Sequence, residues 1–327
     1  MAGSATGGTA GAGGPVGAGG AGGAGGGAVV FGSGGDSCAN ALPISLGYGP
    51  GMSLVRGVGN TQGDASPTDE VVCLEQAGVS TPGPDRVHAV TVNAPEGGYL
   101  TARLVRGEGK TEFDSVLYAR EACEGAAAFC ADASLEQGGV RSPVGGGELL
   151  SVPVRASPAP TTLFLFVDGV GAGEAGRYDI ELSLNRGTCE DPIPVFVEPG
   201  SPVRARVSTD VAANLMSHSC GTIGTVDVMF KVTRAGAGPM GVQIDSADEL
   251  AIAFLDQTCN GEGGAQLERP GQCIRAPEAF LGETAWPDEQ RSIFVAIDGG
   301  IADSDARSFD VIFDPAGGLD LRAPAGE

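Results

Sequence analysis

The chain has 327 residues with 41 acidic and 19 basic side chains, which gives a formal net charge of −22 at pH 7. A surface this acidic repels phosphate backbones and anionic lipid headgroups, so it argues against nucleic acid as a partner. The 56 glycines, the 21 prolines and the absence of long helical periodicity indicate an all-β fold of about two domains.

Residues 1–36 are a Gly/Ala-rich, low-complexity segment, which we predict to be a disordered tether because it cannot bury enough apolar surface to offset its ordering entropy. We see no signal peptide, so we expect the export signal to lie upstream of Met1 or to have been removed. No stretch is long and apolar enough for a transmembrane segment. Membrane attachment would therefore need a lipid on an upstream residue.

The rest of the chain is divided into two predicted β-sandwich domains, residues 37–186 and 187–315, followed by a flexible tail, 316–327. Each domain contains about seven short runs of strand character between Gly/Pro-rich turns. In the first domain they are Ser53–Val58, Arg86–Asn93, Tyr99–Arg106, Ser115–Arg120, Leu149–Val154, Thr162–Asp168 and Arg177–Leu184. In the second they are Ile193–Val197, Val203–Val207, Asp227–Thr233, Met240–Asp245, Leu250–Leu255, Ile293–Asp298 and Phe309–Phe313.

Each predicted domain ends in two apolar runs separated by a turn. Residues 161–182 read TTLFLFVDGVGAGEAGRYDIEL, and residues 291–313 repeat the design as RSIFVAIDGGIADSDARSFDVIF. An apolar run, an Asp-Gly turn and a second alternating run are typical of a β-hairpin. We therefore predict that a closing hairpin completes each domain.

The two halves align at four ordered positions, which indicates an internal repeat. The matches are Ser37-Cys38 with Thr188-Cys189, Asp85–Thr91 with Asp227–Thr233, VLYAREAC with IAFLDQTC, and the two closing segments. The second half differs most in its long loop, Asn260–Gln290.

Eight cysteines divide evenly between the halves and contain no CxxC pair, so we predict four disulfides within the domains and an oxidising, extracytoplasmic location. They are Cys38, Cys73, Cys123, Cys130, Cys189, Cys220, Cys259 and Cys273. Of the three connectivities possible in each half we favour first with second and third with fourth, because these pairs repeat in order and the last pairs are close in sequence.

The segments DRVHAVT, FDSVLYAREAC and LFLFVDG followed by GRYDIEL resemble the bacterial pre-peptidase C-terminal domain. The likeness is closer to the cysteine-paired, tandem versions in secreted and lipoprotein-like proteins of myxobacteria. It covers nearly all of residues 37–315 and is better in the first half. The resemblance implies jelly-roll-like β-sandwiches that accompany secreted enzymes or stand on the cell surface, without catalytic residues of their own. The chain contains no peptidase domain.

A Ser-His-Asp or Cys-His catalytic site would need a histidine that can transfer protons. His88 aligns with Phe230 in the repeat, so we predict an inward-facing side chain, packed in the core or at its rim, rather than a proton shuttle. His218 lies two residues before Cys220, which we assign to a disulfide. There is no GxSxG or HExxH motif. A hydrolase would have to act through an unrecognised pair of carboxylates.

Two features could bind a ligand. The loop IDGGIADSDARSFD places four carboxylates close in sequence, a candidate calcium site, although turns favour Asp in any protein; they are Asp298, Asp303, Asp305 and Asp310. The single tryptophan, Trp286, falls in the predicted loop Asn260–Gln290. It would either stack on a ligand or cap the sandwich core. We expect no other cofactor.

We therefore predict a non-catalytic, extracytoplasmic binding or adhesion module, secreted or on the cell surface, whose partner is an extracellular protein or a polysaccharide. The alternative is a structural spacer of the envelope without a specific ligand. Binding predicts an exposed apolar or aromatic patch on one set of loops, whereas a spacer predicts polar loops. An enzyme predicts a deep cleft with converging carboxylates of perturbed pKa.

Overall fold

A computed structural model describes the chain over most of its strands and their shorter connections. The described residues are 29–32, 34–49, 52–62, 83–106, 109–124, 129–132, 147–169, 173–198, 203–208, 227–234, 238–245, 250–255, 274–276, 279–286, 292–299 and 308–315. These residues form β-strands and one short 3-10 turn, Cys38–Asn40. The predicted all-β fold is confirmed.

The strands of the first half are β1 Val29–Phe31, β2 Leu42–Gly47, β3 Leu54–Asn60, β4 Arg86–Asn93, β5 Gly98–Leu104, β6 Ser115–Arg120, β7 Phe129–Asp132, β8 Gly147–Val154, β9 Thr161–Gly169 and β10 Arg177–Asn185. Those of the second half are β11 Ile193–Val197, β12 Val203–Ser208, β13 Asp227–Arg234, β14 Gly238–Asp245, β15 Leu250–Leu255, β16 Ile274–Ala276, β17 Ala279–Trp286, β18 Ser292–Gly299 and β19 Ser308–Asp314.

Five strands were not predicted from the sequence: β1, β2, β7, β16 and β17. The first of these corrects the prediction that residues 1–36 are a disordered tether throughout. Val29–Phe31 forms a strand that pairs in parallel with β3, so this part of the segment gains backbone hydrogen bonds at the edge of a sheet.

The strands form three sheets. Their orders are β1-β3-β10-β5-β8-β12-β19-β14-β17 for a nine-stranded sheet, and β2-β4-β9-β6-β7 and β11-β13-β18-β15-β16 for two five-stranded sheets. Apart from β6–β7 and β15–β16, consecutive strands lie in different sheets, as in a jelly roll. Replacing each strand of β2–β10 by the strand nine places later converts the order of the first half into that of the second.

The predicted closing hairpins are wrong. Strand β9 pairs with β4 and β6 in a five-stranded sheet, whereas β10 pairs with β3 and β5 in the nine-stranded sheet. The same separation divides β18 from β19. Both strands of each pair carry apolar faces that are buried against each other across the core, so the connection crosses between layers. Strand–turn–strand patterns do not distinguish this arrangement from a hairpin.

The nine-stranded sheet is continuous across the predicted domain boundary at residues 186 and 187, a division that stays a prediction. Strand β8 pairs in parallel with β12, and Leu149 lies opposite Ala205. Leu149 and Ala205 belong to the core of the second half, while the next residue, Leu150, belongs to the core of the first. Because side chains alternate along a strand, the two five-stranded sheets cover opposite faces of the shared sheet.

A disulfide fastens the start of the first half to its five-stranded sheet. Cys38 is bonded to Cys123, with the two Cα atoms 5.7 Å apart. The predicted pairing of Cys38 with Cys73, and of Cys123 with Cys130, is therefore wrong. Cys38 and Cys123 meet because both pack on the outward cluster that includes Val87 and Tyr118. A closed loop of this length stabilises by about 4–5 kcal/mol in the chain-entropy model.

Cys189, the counterpart of Cys38 in the repeat, is also disulfide-bonded. The other predicted disulfide cysteines lie outside the described residues or have side chains that do, so their disulfide bonding stays a prediction: Cys73, Cys130, Cys220, Cys259 and Cys273.

Candidate functional site

The outward face of the nine-stranded sheet carries a row of charged side chains. The register places Glu181 of β10 directly between Arg56 of β3 and Arg103 of β5. These positions point outward because their neighbours Val55, Ile180 and the other apolar residues of these strands are buried in the core of the first half. Alternation along the strands therefore produces a charged row on the opposite surface.

Two guanidinium groups hold Glu181. Arg56 Nε lies 2.6 Å from Glu181 Oε1, and Arg103 Nη2 donates a hydrogen bond to Glu181 Oε2. Partial burial alone would raise the pKa of Glu181, but the hydrogen bond and charge of Arg103, followed by those of Arg56, lower it below its usual range. Glu181 is therefore ionised and fixed in place at neutral pH.

The neighbouring row contains Asp179, which lies opposite Val58 in the register. Arg177 Nη2 makes an ion pair with Asp179 at 3.0 Å. Lys110, on the turn after β5, projects from the exposed surface beside this row. Val58 is 39% exposed, so an apolar side chain lies among these charges.

The charged outward face of β3, β10 and β5 is the floor of a groove, and strand β11 forms its wall. Phe196 of β11 is 44% exposed, and the guanidinium carbon of Arg103 lies 4.2 Å from the centre of the Phe196 ring. This distance is typical of a cation–π contact. Leu54 and Val58 on β3 are also exposed, on the same outward face as Arg56. Apolar and charged groups are thus presented together.

Floor and wall enclose an open groove of about 600 Å³. The described residues that line this groove are Arg56, Gly57, Val58, Arg103, Val105, Lys110, Asp179, Ile180, Glu181, Phe196, Val197, Glu198, Thr233 and Arg234. Four of these side chains are basic and three are acidic, although the chain as a whole carries a net charge of −22. The groove is therefore much less acidic than the rest of the protein.

His88 lies away from the groove, and its predicted packed, inward-facing position is confirmed. The side chain is fully buried, and its Nε2 is 3.0 Å from the hydroxyl of Tyr178. The backbone N–H of Gly34 donates to the same hydroxyl at 3.2 Å. Burial lowers the pKa of His88 to about 4, so the imidazole is neutral at physiological pH. His218 lies outside the described residues.

The candidate calcium site stays a prediction. Asp303 and Asp305 lie outside the described residues, and only the backbones of Asp298 and Asp310 are described. Those backbones belong to different sheets, on β18 and β19 respectively. Among the described residues, no group of three or more His, Cys, Asp or Glu side chains is arranged to hold a metal ion.

Trp286 corrects the predicted loop Asn260–Gln290. It is the last residue of β17, where its backbone pairs with Gly238, and β16 also falls within the predicted loop. Its side chain lies outside the described part of the structure, so stacking on a ligand stays a prediction. Small and polar residues interrupt the alternation of AFLGETAW, which is why the sequence did not indicate a strand.

Sequence reasoning did not identify the groove residues. Alternation in RYDIEL marks Glu181 as an outward residue of a strand, and alternation in LVRGVGN does the same for Arg56. What brings them beside Arg103 and Phe196 is the order of strands in the sheet and the passage of β11 over it. Neither is encoded in local periodicity.

No family model matches this chain, and no curated protein matches it. Distant likenesses exist among solved structures. The tail fibre protein gp63.1 of E. coli phage G7C shows 9% identity over 86% of this chain and 40% of its own length, with a TM-score of 0.24. The CUB1-EGF-CUB2 domains of rat MASP-1 show 7% identity over 83% of this chain and 99% of theirs, with a TM-score of 0.21. At these TM-scores the likenesses carry no argument about function.

Proposed function

We propose that this protein is a non-catalytic binding module of the extracytoplasmic space and that the groove is its ligand-binding site. The observation that carries the proposal is the exposed Phe196, set beside a floor of charged side chains in an open concavity. Extended ligands are commonly held by such a combination, in which apolar surface supplies contact area and charged groups fix orientation.

The acid–base state of the groove favours binding over hydrolysis. A carboxyl group that acts as a general acid near neutral pH needs a raised pKa, whereas the ion pairs with Arg103 and Arg56 lower the pKa of Glu181. Glu181 is also engaged by two guanidiniums rather than directed at open space. This arrangement does not suit a general acid.

The proposed location rests on the cysteines. Cys38, Cys123 and Cys189 are all disulfide-bonded, and such bonds persist in oxidising compartments. In the described part of the chain, no helix is both long and apolar enough to cross a membrane. From the disulfides we infer that the module lies outside the cytoplasm, secreted or displayed at the surface.

Binding of the full chain to an array of defined polysaccharides and extracellular proteins, followed by titration of the best ligand, tests the proposal. We expect Phe196→Ala to weaken binding roughly tenfold, since a central aromatic anchor typically contributes this much or more. Met52→Ala is the matched control, because Met52 is 50% exposed but does not line the groove. Equal affinity of Phe196→Ala and the wild type, or no binding to any ligand, would contradict the proposal.

A structural spacer is the second candidate, and the continuous nine-stranded sheet favours it. Because β8 pairs with β12, the two halves are joined by a sheet rather than by a flexible linker. A spacer predicts that the groove variants have no binding phenotype, so the same array separates the two functions.

A further inference from the structure

On the floor of the groove, basic side chains outnumber acidic ones. Glu181 is shared between Arg56 and Arg103, and Asp179 is engaged by Arg177 from outside the groove lining. Lys110 is exposed, and it takes part in none of the ion pairs between side chains of the described residues. Counting Arg177 with the floor, four cations thus face two carboxylates, while the third carboxylate of the lining, Glu198, lies on the wall. The floor holds an excess of positive charge on a protein whose net charge is −22.

We propose that the groove binds a carboxylated polysaccharide, a chain of uronic acid units, with a ligand carboxylate held at Lys110 and Arg103. This inference rests on the proposed binding function and names its ligand class. Hydrogen bonds between guanidinium or ammonium groups and carboxylates are charge-assisted and stronger than neutral ones. The local excess of cations is complementary to one negative charge per sugar unit.

The other groups of the groove favour a sugar over a denser or simpler polyanion. Glu198 and the hydroxyl of Thr233, which lies 2.7 Å from that of Ser292, can accept hydrogen bonds from sugar hydroxyl groups, which carboxylates and phosphates cannot donate. Phe196 and Val58 offer apolar surface to the C–H faces of a sugar ring.

Calorimetric titration of the full chain with an oligogalacturonate and with the same oligomer fully methyl-esterified tests the ligand class. The two probes differ only in the charge of the carboxyl groups. We expect the acid form to bind at least roughly tenfold more tightly at about 50 mM salt, with the difference shrinking as salt is raised. Poly-L-glutamate serves as the peptide probe, and tighter binding of that probe would overturn the proposal.

The two lysines of the chain provide a matched pair of variants, because Lys110 lines the groove and Lys231 is exposed on β13 outside it. We expect Lys110→Ala to weaken oligogalacturonate binding roughly tenfold and Lys231→Ala to leave it unchanged. Saturating oligogalacturonate should also protect Lys110, but not Lys231, from acetylation, as measured by mass spectrometry. Protection of both lysines, or of neither, would contradict binding in the groove.

Glu181→Gln gives a change of the opposite sign. Glu181 competes with the ligand for Arg103 and Arg56, so removing its charge should tighten oligogalacturonate binding several-fold. Weaker binding by this variant would overturn the inference. Equal binding of the acid and the ester, with Phe196→Ala still defective, would refute the ligand class while leaving the proposed binding function intact.

Discussion

The two halves share one strand order but fill the same core position with different chemistry. His88 of β4 lies opposite Leu42, and Phe230 of β13 lies opposite Ile193 at the equivalent place. The imidazole of His88 is hydrogen-bonded to Tyr178, whose counterpart in the register of the second half is Phe309. The Phe230 ring packs edge-on against Phe313 on the same strand as Phe309, with 5.4 Å between the ring centres. The topology therefore tolerates either a polar pair or an aromatic pair, and the choice changes how stability depends on pH.

A second difference between the halves lies at the end of the paired strands β5 and β8. Glu148 is buried with Arg106, whose guanidinium also donates to Phe113 O at 2.7 Å and Ser115 Oγ at 2.8 Å. In the second half, the residue that holds the corresponding place in the strand register is Phe280. The first half thus depends on the satisfaction of buried charges, whereas the second has a phenylalanine at that register position.

The largest effect is expected from Glu148→Gln. The side chains of Arg106 and Glu148 are only 7% and 1% exposed, so the substitution leaves a buried guanidinium without its counter-charge. Breaking such a pair costs about 3–5 kcal/mol in the free energy of unfolding. Urea denaturation with the disulfides intact measures it.

Replacing both charged residues by apolar ones of similar volume is the control for this experiment. Arg106→Met combined with Glu148→Leu removes both charges, and we expect it to retain more stability than Glu148→Gln alone. If Glu148→Gln loses less than about 1 kcal/mol, the first half would not depend on this charge pair as the comparison requires.

An intermediate effect is expected when the polar pair His88 and Tyr178 is replaced by two phenylalanines, which copies the second half. The pKa of buried His88, about 4, lies below its unfolded value of 6.5. Between these values the unfolded chain binds a proton that the native protein does not, so the stability of the wild type falls as pH decreases from 6.5 towards 4. The integrated loss is on the order of 3 kcal/mol.

The measurement is the difference in unfolding free energy between the wild type and the double variant as a function of pH. We expect this difference to be constant from about pH 7.5 to about pH 9, where neither His88 nor Tyr178 titrates, and to change steadily in favour of the variant as the solution is acidified. Carboxylates common to both proteins cancel in the difference. A difference that does not vary with pH would show that His88 does not titrate between these values.

The sequence predicted the strands well where alternation is strict and the residues are β-branched or aromatic. The bounds predicted for β4, β6, β11 and β15 agree with the structure residue for residue. Pairing was less predictable, because local periodicity states which face of a strand is buried but not which sheet buries it. That is why the connection from β9 to β10 was misassigned as a hairpin.

The groove could be predicted least. Each of its residues has an ordinary local pattern, and outward charges on a strand indicate only exposure to solvent. The join of β8 to β12, the passage of β11 over the sheet and the meeting of Phe196 with Arg103 are all long-range. By contrast, the buried state of His88 was predictable because the repeat places an aromatic residue at the same point.

The smallest effect is expected from Glu181→Gln on stability, and it tests whether burial explains the difference between the two carboxylates. Glu181 also interacts with two arginines, but its side chain is 16% exposed and Arg56 is 57% exposed. Solvent screens such a pair, so its removal should change the unfolding free energy by less than about 1 kcal/mol. The contrast with Glu148→Gln, measured in the same urea titrations, should be several-fold. Equal losses at the two positions would mean that the groove ion pairs support the fold as much as the buried pair does, and the groove would then be a structural seam rather than a surface reserved for a ligand.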